Sequence, residues 1–152
     1  MTVVNPEPPG RPEGVVLKAR YDALDPGDRA ALRRVATVAD IPTLRAYYRW
    51  LEDRAPHPGL QRVAFLLPHA AHRTGAAPLG RQLRRQNMSE ARVVRMFRAA
   101  PGDDLLHLRR LLIHAELRLD WGEFAPVLLF WGETAKRHIL QDFYTTQPCT
   151  TA

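Results

Sequence analysis

Arginine is the residue type through which this chain could act. Arg92, Arg95 and Arg98 recur at three-residue steps. At roughly 100° per residue they share one stripe of a helix, with Val93, Met96 and Phe97 on the opposite side. Arg81, Arg84 and Arg85 cluster in the same way opposite Leu79 and Leu83. Only Asn87-Met88 separates the two predicted helices, so both stripes are expected to contribute to one surface. A guanidinium is planar and permanently charged, which suits it to paired hydrogen bonds with phosphate oxygens. Neither stripe has acids at i±4 to neutralise it, as a solvated salt-bridged helix face usually does. Arg33-Arg34, Arg45, Arg49, Arg62, Arg73 and Arg109-Arg110 extend the positive field over further helices. Single pairs of this kind more often lie on helix surfaces or face partners than bind a ligand directly.

Other chemistries are poorly supplied. His69 and His72 stand three apart, and His107 and His114 seven apart near Glu116. A zinc site needs three or four ligands in tetrahedral array, and no HExxH or Cys–His cluster completes one, so packing or hydrogen bonding to helix carbonyls is the expected use. The single cysteine, Cys149, lies in a polar tail with no helix start to lower its pKa. It also excludes a disulfide framework. No GxSxG, P-loop or GxGxxG occurs. Asp103-Asp104 follows Pro101-Gly102, where carboxylates cap a helix, and reads as an N-cap in preference to an acid–base or metal pair. No catalytic residue, metal or cofactor is assigned, and an enzyme is not supported. Trp121, Phe124, Leu128 and Trp131 recur on one face of an amphipathic helix and read as core. Tyr47-Tyr48-Arg49-Trp50 is the only run interleaving aromatics with Arg, the pattern base stacking would want, and half of it must face the core.

Charge distribution separates codon usage from function. The 152 residues carry a formal net charge of +6. Arginine outnumbers lysine tenfold, which a GC-rich genome gives any protein, so the total says little. Residues 1–28 and 111–152 each hold three basic and five acidic groups, whereas residues 29–110 hold 16 arginines against six acids. Codon bias acts on the whole chain and leaves that concentration unexplained. Such a field favours polyanions, nucleic acid before membrane lipid. No apolar run approaches the roughly 18 residues of a membrane span, and Met1–Gly14 lacks the apolar core of a signal peptide. A soluble, cytoplasmic protein is expected.

The elements that must position these side chains are helices. Residues 1–14 hold four of the 13 prolines and two glycines, and read as a flexible N-terminal arm. From Val15 onward the periods are helical, without two-residue alternation. Asp25-Pro26 opens a helix through about Val38. Asp40 opens a second, with Pro42 in its first turn, to about Asp53. Further helices are predicted over about Leu60–Ala71, Pro78–Gln86, Ala99 back to a Ser89 cap, Asp103–Leu119, Trp131 back to an Asp120 cap, and Gly132–Tyr144. The expectation is an all-α fold: a compact bundle of about eight short helices over residues 15–146, in two small lobes divided near 100–103, followed by a tail over 147–152.

At this point the residues resemble a known family. Leu108-Arg109-Arg110-Leu111-Leu112-Ile113-His114-Ala115-Glu116, followed by Leu119-Asp120-Trp121, resembles the most characteristic block of the small subunit of type I-E CRISPR Cascade, the CasB family. Leu32-Arg33-Arg34-Val35 and Asp40-Ile41-Pro42 resemble its N-terminal helices, and Leu79-Gly80-Arg81 with Arg92, Arg95 and Arg98-Ala99 its middle. Trp131-Gly132 and Asp142-Phe143 resemble its end, so the similarity runs in order from about Leu24 to Tyr144. The resemblance implies an all-α, non-catalytic, metal-free subunit of two helical lobes, acting in antiviral defence. It implies contact with the phosphate backbone of guide RNA and of target and displaced DNA strands in the R-loop. Guide pairing then reads sequence, while protein cations stabilise a near-balanced strand exchange. Implied partners are the backbone and large subunits of Cascade and a second copy of the chain, with no membrane. Matching residues assigns that contact to Arg33, Arg34, Arg73, Arg81, Arg92, Arg98 and Arg110; Arg84, Arg85 and Arg95 rest on the stripe argument. The 72–78 connection is shorter and less basic than in other members, and Pro126 is unusual in its helix.

Two readings compete. A helical scaffold would dock acidic protein partners through its Arg faces without touching nucleic acid. A helix-turn-helix regulator would need a recognition helix after a tight Gly turn, and the link before the Ser89 helix has no Gly.

Overall fold

The computed structural model describes residues 12–148. Residues 1–11 of the expected arm, and Cys149 in the tail, lie outside the described residues. Residues 13 and 14 belong to the first helix.

That helix, α1 (Glu13–Asp22), starts at Pro12, whose carbonyl accepts from the Val15 and Val16 amides. Gly14 is buried: a Cβ there would stand 1.9 Å from the Trp121 carbonyl oxygen. What read as a loop glycine is a close helix–helix contact. α2 (Pro26–Arg34) begins with Pro26 in its first turn, where the missing N–H has no intrahelical partner to lose. The expected helix from Asp40 to Asp53 is instead two pieces, a 3-10 turn over Val38–Thr43 that contains Pro42, and α3 (Arg45–Leu51). Leu44 between them is extended, which ends the helical ladder. α4 (Pro58–Leu66) takes its cap from the His57 ring, whose Nδ1 accepts from the Gly59 amide at 3.1 Å, and a 3-10 turn over Leu67–His69 follows.

The second half supplies α5 (Leu79–Arg85), α6 (Glu90–Arg98), α7 (Asp103–Ala115), α8 (Trp121–Leu129) and α9 (Glu133–Thr145). The Ser89 and Asp120 caps form as expected: their side chains accept from the Arg92 and Gly122 amides. Among the described residues there are thus nine α-helices where about eight were expected. One feature is not helical: β1 (Ala71–His72) pairs in parallel with β2 (Arg118–Leu119), closing a neck around residues 73–117. Two-residue strands carry no periodicity for sequence reading to find.

Packing follows the apolar faces. α5 lies on α9, with Gly80 so close that a Cβ would meet the Ile139 carbonyl oxygen at 2.1 Å. α6 packs on α7 and α9, while α8 returns to α1 and α4. The expected division near 100–103 falls in the α6–α7 connection, across which those two helices pack directly. The buried side chains form one continuous cluster, with Trp50, Trp121, Tyr47, Phe65 and Phe143 as its largest members. Both buried indoles donate to backbone carbonyls, Trp50 to Leu17 and Trp121 to Ala70, each at 2.9 Å, so no N–H is stranded.

One buried polar cluster ties the later helices together. Asp104 is 2% exposed. The N-cap of α7 is Gly102, so Asp104 sits inside the first turn: its Oδ1 accepts from the Gly102 and Leu105 amides, while Oδ2 accepts from Lys136 Nζ at 3.0 Å and Trp131 Nε1 at 2.9 Å. The expected N-cap at Asp103-Asp104 is thus displaced to Gly102, and the Asp104 carboxylate, with that of Asp103, lies in the first turn, next to the positive end of the helix. Trp131 stands beyond the end of α8, half-buried, because its indole is drawn to this carboxylate.

Candidate nucleic-acid interface

The arginine stripes form where the helix pattern placed them, on the faces opposite the core. On α6, Val93 and Met96 are buried, while Arg92, Arg95 and Arg98 are exposed. On α5, Leu79 and Leu83 are buried, with Arg81 and Arg85 exposed. Four of the six stripe arginines, Arg84, Arg85, Arg95 and Arg98, lie in the last turn of their helix, where cations complement the carbonyl end of the macrodipole.

The two stripes do not meet in one groove. Asn87, left-handed at φ 57°, turns the chain between the helices so that α5 packs on α9 and α6 on α7. Arg92, Arg95 and Arg98 then face α7 across an open groove, whose two adjoining stretches measure about 480 and 300 Å³. Its far wall is Asp103, His107, Arg110 and His114 of α7. Arg81 and Arg85 line a second basic groove of about 590 Å³ with Arg73, Gln86, Glu116 and Arg118. The end of α7 joins the two, since His114 borders the first and Glu116 the second.

The charges in these grooves are not neutralised from within. None of the ten arginines assigned to phosphate-backbone contact forms an ion pair with a described residue. Arg20, Arg49 and Arg54, by contrast, are held by Glu52, Asp28 and Glu13. Asp103 is the one carboxylate lining the first groove and Glu116 the one lining the second. Uncompensated cations facing one another across a concave surface focus a positive potential.

Not every nominated arginine is equally free. Arg84 is half-buried, its guanidinium 5.1 Å from the centre of the Phe143 ring and its Nε donating to the Thr146 carbonyl at 3.3 Å. It helps seat α5 on α9. Arg33 and Arg34 are exposed at the end of α2, outside both grooves. Next to them, Arg109 donates to the Val35 and Ala36 carbonyls and stacks 4.6 Å over Phe65. It is a positioning residue: burial pushes its pKa down, and it pins α7 so that neighbouring Arg110 points into the groove. Arg62 similarly donates to Leu128 and Leu129 at the end of α8. Burial, then Arg109, Arg33 and Lys18, push His69 down to about 4. Arg33 therefore shares the electrostatic neighbourhood of α7.

Sequence reasoning missed Arg118 and the two groove histidines. His107, Arg110 and His114 lie at i, i+3, i+7, a stripe visible in the sequence once α7 is oriented. Among the described residues no three His, Cys, Asp or Glu side chains converge to hold a metal ion, and no helix is long and apolar enough to cross a membrane. Of the aromatic run, Tyr47 and Trp50 are buried, Tyr48 is exposed, and Arg49 is paired with Asp28.

Fold and site together define a class: a small all-α protein whose exposed polar chemistry is concentrated in arginine-lined grooves between short helices. Residues 28–144 match the family model for the CRISPR-associated protein Cse2. The chain is 30% identical over 150 residues to the CRISPR system Cascade subunit CasB of Escherichia coli (strain K12), across 88% of this chain and 94% of that protein. It also superposes, with a TM-score of 0.81 and 31% identity, on a chain in the crystal structure of E. coli Cascade bound to a PAM-containing dsDNA target, covering 91% of this chain and 100% of that one. The protein belongs to the CRISPR-associated protein Cse2 family.

Proposed function

We propose that the protein is a non-catalytic small subunit of a CRISPR RNA-guided Cascade complex in the cytoplasm. In this reading it binds the phosphate backbone of guide RNA and of target and displaced DNA, and so stabilises the R-loop. The observation that carries this is the α6–α7 groove, where Arg92, Arg95, Arg98 and Arg110 converge with a single carboxylate among them. Arg73, Arg81 and Arg85 would hold backbone in the second groove, Arg33 and Arg34 would contribute from the end of α2, and Arg84 would do so with the donors its contact to Thr146 leaves over. Family membership supports assembly with the backbone and large subunits and with a second copy of the chain.

Binding of this kind releases counterions and reads no sequence. The isolated chain is expected to bind single strands at micromolar or weaker Kd, with log K falling by roughly 0.7 per phosphate contact for each decade of salt. Replacing Arg92, Arg95 and Arg98 together with Glu should flatten that slope by roughly two and impair R-loop formation by the assembled complex. An unchanged R-loop would remove this face from the mechanism. Crosslinking separates the scaffold alternative: stripes that crosslink only to acidic protein partners, never to nucleic acid, would favour it.

A further inference from the structure

Two residues of the α6–α7 groove are histidines. His107 and His114 flank Arg110 on one stripe of α7 and face Arg92 and Arg95 across the groove. Three other histidines are committed to the fold, and His138 is exposed on α9, away from this groove. His57 caps α4, and His72 Nδ1 accepts from the Trp121 amide at 3.1 Å while its Nε2 lies 3.0 Å from Thr74 Oγ1. His69 Nε2 is buried. The rings of His107, half-buried, and His114, exposed, hydrogen-bond to no described residue. Two imidazoles without structural duties thus lie among four guanidinium groups and one carboxylate, Asp103.

We propose that His107 and His114 are phosphate-contacting residues of the α6–α7 groove, and that they make nucleic-acid binding there proton-linked. The proposal rests on the backbone-binding reading of this groove. The α7 stripe spans seven residues, about 10 Å at the helical rise, so it can follow two or three consecutive phosphates of a strand. A neutral imidazole offers one N–H donor and a protonated one offers two. The groove sets Arg92, Arg95, Arg98 and Arg110 beside the two rings. A phosphate strand neutralises them and makes protonation favourable, so the complex takes up protons as it forms.

The groups facing the two rings are those three arginines from α6, and Asp103 and Arg110 from α7 itself. Behind these helices, α9 contributes Tyr144, whose hydroxyl donates to Glu90 at 2.6 Å, and the 67–69 turn contributes His69. His69 is pushed down to about 4 by burial and the neighbouring cations. The second groove is lined by no histidine, which makes it an internal control.

The test measures Kd of the full chain for a fluorescent oligothymidylate, whose bases do not titrate here, at about pH 6 and about pH 8 and constant ionic strength. Wild type should bind on the order of tenfold more tightly at the lower pH, since each proton taken up contributes up to about tenfold per pH unit. The double variant His107→Gln, His114→Gln should lose that difference and retain the wild-type salt slope at the higher pH. The variant Arg81→Gln, Arg85→Gln should bind more weakly at both values and keep the difference. A wild-type Kd independent of pH, or a histidine variant that keeps the full pH dependence, overturns the proposal. If binding at the higher pH shows no salt dependence at all, the backbone reading of the groove fails, and this proposal with it.

Discussion

Removal of the Asp104 carboxylate tests the physical account of how α7 is held. In Asp104→Ala, Lys136, 4% exposed, loses its buried partner. The Gly102 and Leu105 amides and the Trp131 indole lose their acceptor as well. Breaking a buried ion pair from one side costs about 3–5 kcal/mol. Glu133, 3.7 Å from Lys136 Nζ but largely exposed, can relieve part of the stranded charge, which places the expectation near about 3 kcal/mol. For a domain of this size that lowers Tm by roughly 6–12 °C. Urea unfolding followed by tryptophan fluorescence and far-ultraviolet circular dichroism measures the loss directly. The double replacement Asp104→Leu, Lys136→Met removes both charges and should recover most of it, because an apolar pair needs no compensation. A single variant within about 1 kcal/mol of wild type, or a double variant no more stable than the single, would refute the reasoning.

Three further outcomes follow from the geometry. Gly80→Ala should destabilise by more than about 2 kcal/mol, since the new Cβ meets the Ile139 backbone and α5 must move off α9; chemical denaturation checks it. His69, ordinarily titrating at 6.5 and pushed down to about 4, is neutral in the fold and protonates more readily in the unfolded chain. Stability is therefore full above about pH 6.5 and falls as pH drops toward about 4, and His69→Phe should flatten that part of a stability–pH curve. Adjacent arginines should separate cleanly: Arg109→Ala lowers the unfolding midpoint through its lost carbonyl bonds, whereas Arg110→Ala leaves it within about 0.5 kcal/mol and weakens oligonucleotide binding.

What the sequence made legible depended on local signals. Pro26, Ser89 and Asp120 announced helix starts because capping and a fixed φ are properties of one or two neighbouring residues. The Arg stripes of α5 and α6 emerged from periodicity alone. Gly14 misled because a glycine chosen for close helix packing looks like one chosen for a loop; only the position of Trp121 distinguishes them. Pro42 allowed a helical first turn but sits in a 3-10 turn, and Leu44 breaks the ladder after it. That the two stripes line separate grooves depended on the left-handed turn at Asn87, and the partners of Asp104 stand 27 and 32 residues away. Long-range partners of this kind leave no mark on local pattern.

The short parallel neck has a consequence for how the chain comes together. β1 and β2 run in the same direction, so residues 73–117 must leave and return before Ala71 can meet Arg118. That excursion carries nine arginines and four acids. Its closure meets the ordinary entropy of a long loop and, in addition, the mutual repulsion of its own cargo. Salt screens that repulsion over a Debye length of about 8 Å at physiological strength. On the proposed function, the ions that would compete with a nucleic-acid strand for these arginines are therefore the same ions that help the loop shut during folding.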